Sequence, residues 1–74
     1  MTAVRAAIQG ECGFPPFDGE SVNGYAARAA GVSCETVERY MERVGGGEPP
    51  LPEMASVHAL MEAIGKRISG AVVT

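Results

Sequence analysis

The sequence predicts an all-α protein, a small bundle of about four helices that forms a single domain over residues 1–74. The chain has two Phe, two Tyr and no Trp, so its core must consist mainly of Ala, Val, Ile, Leu and Met. Small and unbranched aliphatic residues favour helices over sheets. Apolar residues also recur at intervals of three and four, and clusters of Gly and Pro separate these segments.

The N-terminal part predicts a short amphipathic helix followed by a loop. Apolar residues on one face indicate a helix over residues 2–9 that ends at Gly10. Residues 11–20 are dense in Gly and Pro and cannot continue a helix. We expect Phe14 and Phe17 to anchor this loop to the core.

Two further helices are predicted on either side of one glycine. Ser21 or Asn23 can cap a helix that runs to about Ala30. Ala27 and Gly31, four residues apart, supply a small side chain for a close helix crossing and a residue that tolerates left-handed backbone. This combination predicts a tight turn between two packed helices.

The helix after this turn should span roughly residues 34–44 and stop at the glycines of residues 45–47. Ser33 is placed to cap it, Val32 to enter the core beside the turn, and Val37 to repeat the apolar face one turn later. Such a unit is a helix-turn-helix, in which the second helix usually enters the major groove of DNA.

The segment Ala30 to Arg39, AGVSCETVER, resembles the DNA-reading motif of the LacI family and of small phage repressors of the Cro/C1 (Xre-like) family, where AGVSxxTVxR recurs. A proline-bearing linker and a terminal helix also resemble phage-encoded regulators, including anti-CRISPR-associated repressors, over about residues 22–65. The loop over residues 11–20 is longer than the equivalent turn in the phage repressors. The resemblance implies a transcriptional regulator, a repressor of phage or mobile-element type, that binds an inverted repeat in double-stranded DNA as a homodimer. The alternative is a helical hairpin that only builds a core.

We expect the DNA contacts to come from the first turns of the second helix of this motif and from nearby arginines. Ser33 and Thr36 can donate to phosphates, and Arg39 can bind guanine or a phosphate. The expected DNA-binding residues are Arg28, Ser33, Cys34, Glu35, Thr36, Glu38, Arg39 and Arg43.

The charge balance argues against DNA and keeps a second function open. The formal net charge is -3, whereas neutralisation of phosphates supplies much of the affinity for DNA. Glu35 can be explained by the helix dipole and by a pair with Arg39, but Glu38 and Glu42 repel one another at the same spacing. The alternative function is an acidic protein-interaction module, an inhibitor or adaptor that binds a protein partner through this face and does not bind DNA.

The C-terminal part predicts one more helix, from Pro52 to about Ser69, with a two-heptad apolar stripe. Because the stripe is wide for so small a protein, we expect residues 53–69 to form a dimerisation helix. An ordinary intramolecular core is the alternative explanation of the same pattern. The expected dimer-interface residues are Met54, Val57, Leu60, Met61, Ile64 and Ile68.

The remaining patterns exclude several classes of function. Cys12 and Cys34 lack CxxC spacing, and His58, the only histidine, has no acid beside it and is expected to be structural or exposed. No nucleophile elbow or phosphate loop is present, so we predict no enzyme, no cofactor and no metal. No apolar run approaches the roughly 20 residues that cross a bilayer, and we expect a cytoplasmic protein without a membrane partner.

Overall fold

The computed structural model describes the backbone of residues 3–73 and the side chains of residues 3–70. The all-α fold class is confirmed, since the described residues form four α-helices and one short 3₁₀ turn and contain no strand. The helical elements are α1 (Ala3–Cys12), α2 (Val22–Ala30), α3 (Cys34–Gly45), the 3₁₀ turn (Pro52–Met54) and α4 (Ala55–Val73).

The core lies where α4 packs against the other three helices. α1 and α2 also pack on each other, and α3 packs against α2 and the 3₁₀ turn. The largest fully buried side chains come from every helix and from the turn, which makes one continuous core. They are Ile8, Tyr25, Val37, Met54 and Val57.

α1 continues past the glycine that was expected to end it. Gly10 lies inside the helix, where Arg67 of α4 donates to its carbonyl oxygen at 3.1 Å. The helix ends at Cys12, and Gly13 follows with a φ of 85° and donates to the Gln9 carbonyl at 2.8 Å. The predicted end at Gly10 is therefore wrong by two residues, because the left-handed glycine that ends this helix is Gly13.

The loop between α1 and α2 is anchored by one of its two phenylalanines only. Phe14 is half-buried and packs edge-on against the ring of Tyr25, whose hydroxyl donates to the Phe14 carbonyl at 2.5 Å. Phe17 is 65% exposed, so the expectation that it enters the core is wrong. Its ring instead covers the guanidinium of Arg28, which lies 3.9 Å from the ring centroid.

The apolar stripe of α4 faces the protein's own core. Met54, Val57, Leu60 and Ile64 are at most 9% exposed, and the half-buried Met61 and Ile68 pack against the same cluster. The assignment of the first four side chains to a dimer interface is therefore wrong, because helices of the same chain already cover them.

α4 is also longer than expected. Its backbone remains helical to Val73, whereas the sequence predicted an end near Ser69. None of the helices in the described residues combines the length and apolar character required to cross a bilayer.

Candidate nucleic-acid interface

The turn between α2 and α3 has the geometry that the sequence predicted. Gly31 adopts φ 72° and ψ 30°, a left-handed conformation that residues with a Cβ adopt at a cost. The amide of Gly31 donates to the Arg28 carbonyl at 3.3 Å, and that of Val32 donates to the Ala27 carbonyl at 2.9 Å. Ala27 is 3% exposed. The hydrogen bonds and the small buried side chain fix α3 tightly against α2.

The amino end of α3 faces solvent. Ser33 caps the helix, since its Oγ accepts from the Thr36 amide at 3.2 Å. Ser33, Cys34 and Glu35 are exposed and Thr36 is half-buried. Exposed amides at the positive end of a helix dipole attract anions. This end of the molecule is therefore open to a negatively charged ligand.

Arg28 does not lie on this open surface as a free cation. It donates to Glu20 through Nε and Nη2 at 3.0 and 2.9 Å, and Nη2 also donates to the Pro15 carbonyl at 3.0 Å. The rings of Phe14 and Phe17 lie against the guanidinium, 4.5 and 3.9 Å from its carbon. Hydrogen bonding from Arg28 lowers the pKa of Glu20, and the same bond raises the pKa of Arg28. The donors of Arg28 thus hold the loop before α2, which leaves its guanidinium less available to DNA than the sequence suggested.

Arg39 and Arg43 lie on α3 and pair with carboxylates that are more exposed than Glu20. Arg39 pairs with Glu53 at 3.0 Å, not with Glu35 as the helical spacing suggested, and both side chains are about half exposed. Arg43 pairs with Glu48 at 3.1 Å and donates through Nε to the Pro49 carbonyl at 3.0 Å. Sequence reasoning missed Glu48 and Glu53 as partners, because they lie on the segment after α3 and not on the helix itself.

An open hollow of about 320 Å³ lies between α3 and the segment that follows it. Both arginines line it together with two carboxylates and one leucine, so it combines cationic and anionic groups. The lining residues are Arg39, Glu42, Arg43, Gly46, Glu48 and Leu51.

A row of carboxylates shares the exposed surface of α3. Glu35, Glu38 and Glu42 are exposed, and none of them forms an ion pair within the described part of the chain. Their spacing of three and four residues places them on one face of the helix. The expected DNA contacts on α3 thus include two acidic residues, Glu35 and Glu38, and two cationic residues, Arg39 and Arg43.

His58 has partners that the sequence analysis overlooked. Its Nδ1 lies 3.1 Å from the hydroxyl of Tyr40, and its Nε2 lies 3.3 Å from a carboxylate oxygen of Glu62. Glu62 is four residues after His58, so the helical spacing carried the signal. Burial and, less strongly, the charge of Glu62 raise the pKa of Tyr40. The histidine links α3 to α4 and has a structural role.

Within residues 3–73, no group of three or more His, Cys, Asp or Glu side chains is arranged to hold a metal ion. Comparisons of the chain with protein-family models, with curated proteins and with solved structures found no match.

Proposed function

We propose that the protein is a sequence-specific DNA-binding regulator of transcription in which α3 enters the major groove. The observation that carries the proposal is the exposed amino end of α3, capped by Ser33 and fixed by the left-handed turn at Gly31. A recognition helix must present this end outward while its opposite face remains packed. Val37 and Tyr40 supply that packed face, since both are at most 5% exposed.

The electrostatics support DNA binding through Arg39 and Arg43. Both arginines pair with carboxylates that are more than half exposed, and such surface pairs contribute about 0–1 kcal/mol to stability. A phosphate can replace a carboxylate on the guanidinium at little cost, because it presents a similar pair of acceptor oxygens. The proposed set of basic DNA contacts therefore contains these two arginines and omits Arg28.

Two copies of the chain would strengthen binding. With a net charge of -3, one copy can neutralise few phosphates and should bind weakly. A homodimer would double these contacts and place its two recognition helices about 34 Å apart, in successive major grooves of an inverted repeat. The proposal also places the protein in the cytoplasm with the DNA and, by its resemblance to phage repressors, gives it a repressing role.

Selection of bound duplexes from a random pool, followed by fluorescence anisotropy on the enriched duplex, tests the proposal. We expect the wild type to prefer the enriched duplex, Arg39→Ala to bind more weakly, and Lys66→Ala to match the wild type. Lys66 is exposed on α4 and supplies the same change of charge away from α3. Lack of enrichment and of DNA binding, even at low ionic strength, would reject the function.

The acidic protein-interaction module remains a second candidate, favoured by one observation. Glu35, Glu38 and Glu42 are exposed without ion pairs among the described residues and form a face suited to a basic protein surface. A triple change of these residues to Gln separates the two functions. The variant should bind DNA more tightly if α3 contacts phosphates, and should lose binding to a lysine- and arginine-rich peptide if the face contacts protein.

A further inference from the structure

The segment that joins α3 to α4 carries the carboxylates that occupy both arginines of α3. We define the connector as residues 46–54. Glu48 near its start contacts Arg43 at 3.1 Å, and Glu53 near its end contacts Arg39 at 3.0 Å. The connector is therefore attached to one face of α3 by an ion pair towards each of its ends.

Arg39 and Arg43 are four residues apart, so they lie one helical turn apart on the same face. Both line the hollow of about 320 Å³ described above, which is large enough for a phosphate group. The charges around it are two arginines against the carboxylates of Glu42, Glu48 and Glu53. While both connector carboxylates remain in place, the site is net negative and repels an anion.

The carboxylate of Glu53 is 55% exposed as a side chain and can turn into water, and the backbone bonds near Glu48 allow its carboxylate to leave without unfolding the connector. The amide of Glu48 donates to the Arg43 carbonyl at 2.8 Å, and Nε of Arg43 donates to the Pro49 carbonyl at 3.0 Å. Neither bond involves the Glu48 carboxylate. That carboxylate is 62% exposed as a side chain, so it can rotate into water while Arg43 keeps its orientation.

We propose that Arg39 and Arg43 form a phosphate-binding site and that Glu48 and Glu53 are built-in competitors for it. The connector carboxylates hold the guanidinium groups until a phosphate displaces them, which weakens binding to any DNA that offers phosphates alone. The identity of this phosphate as part of the DNA backbone rests on the proposed function. The site itself rests on the two arginines, the hollow and the exchangeable carboxylates.

The test compares the double variant Glu48→Gln/Glu53→Gln with the control Glu11→Gln/Asp18→Asn, which also removes two negative charges. Asp18 is exposed in the loop between α1 and α2. Glu11 also pairs with an arginine, Arg67 of α4, but it lies on α1, which does not contact α3 in the described part of the chain. The probes are a short random-sequence duplex and inorganic phosphate. Anisotropy measures duplex binding, and the side-chain Nε–H signals of Arg39 and Arg43 in NMR spectra report occupation of the site.

The double variant should bind the random duplex about threefold to tenfold more tightly than the wild type, as expected for loss of two exposed competing pairs. The control Glu11→Gln/Asp18→Asn should gain clearly less affinity than the double variant. Thermal unfolding of all three proteins checks that the fold is retained. Equal affinity of the double variant and this control would overturn the proposal, because the gain would then follow net charge alone.

The NMR arm separates this proposal from the proposed function. In one outcome, neither the wild type nor the variants bind DNA, but phosphate shifts both arginine signals, and does so at lower concentration in the double variant. The phosphate site is then supported and the DNA-binding function is rejected. If the wild type binds DNA while neither arginine signal moves, the function stands and the site is rejected. Absence of any response to either probe overturns both.

Discussion

Two arginine environments in this small protein differ in how firmly they hold the cation. Arg28 has two hydrogen bonds to one carboxylate, one to the Pro15 carbonyl, and three aromatic rings close to its guanidinium. Arg39 has a single carboxylate contact, and both partners are about half exposed. The same side chain is therefore structural in one place and exchangeable in the other. Availability for a ligand depends on the partners and their exposure, not on the charge itself.

The largest effect is expected from Arg28→Ala. The substitution removes the group around which the α1–α2 loop folds and leaves Glu20, 13% exposed, without its main partner. We expect the greatest fall in the thermal unfolding midpoint among the substitutions considered. Arg28→Lys should recover only part of the loss, because an ammonium cannot form the two-pronged bond to a carboxylate. If Arg28→Ala has the same thermal unfolding midpoint as the wild type, the distinction between the two arginine environments is wrong.

Acid titration provides a second test of the pair between Arg28 and Glu20. Hydrogen bonding from Arg28 and from the Phe17 amide lowers the pKa of Glu20 below its ordinary value near 4.5. The ionised form is thus favoured in the folded state, so its contribution to stability is present above pH 4.5 and is lost as the pH falls through the lowered pKa. Urea unfolding measured over this range should show the loss in the wild type. Glu20→Gln should be less stable at neutral pH and should have a flatter acid dependence.

The cap of α3 should have an intermediate effect. Ser33→Ala removes the acceptor for the Thr36 amide and should lower the free energy of unfolding by about 1 kcal/mol. Ser33→Asn retains a capping oxygen and should restore most of it. Denaturant unfolding measures the stability of both variants. If Ser33→Ala leaves the free energy of unfolding unchanged, the cap does not stabilise the amino end of α3.

The smallest effect on stability is expected from Arg39→Ala. Its pair with Glu53 is exposed on both sides, so the change in unfolding free energy should remain within about 0.5 kcal/mol. Lys66→Ala is the control for removal of a surface charge. A loss of stability as large as that of Arg28→Ala would mean that the Arg39–Glu53 pair is structural as well. Replacement of Glu53 by a phosphate would then be too costly to occur.

Local rules made the α2–α3 turn predictable. A small residue at the crossing, a glycine with left-handed backbone and a serine cap act over a few residues, and the structure places Ala27, Gly31 and Ser33 as expected. The role of the apolar stripe on α4 was predicted less well, because periodicity identifies the apolar face and not the surface that covers it. In the structure the core of the same chain covers Val57 and its neighbours.

The arginine partners could not be predicted for a different reason. Glu20 precedes Arg28 by eight residues, and Glu53 follows Arg39 by 14. These separations exceed the three or four residues over which side chains on one helix meet, so only the path of the loop and of the connector brings the charges together. Sequence reasoning thus identified the exposed end of α3 and its charged residues, but not which arginines are held by acids.

The most direct test of the central claim is an NMR titration of the isotope-labelled protein with its enriched duplex. The account predicts that the largest amide shifts fall on Ser33 to Thr36 and that the Nε–H signals of Arg39 and Arg43 move, while that of Arg28 does not. Shifts confined to α1 or α4, or a spectrum unchanged by saturating duplex, would contradict it.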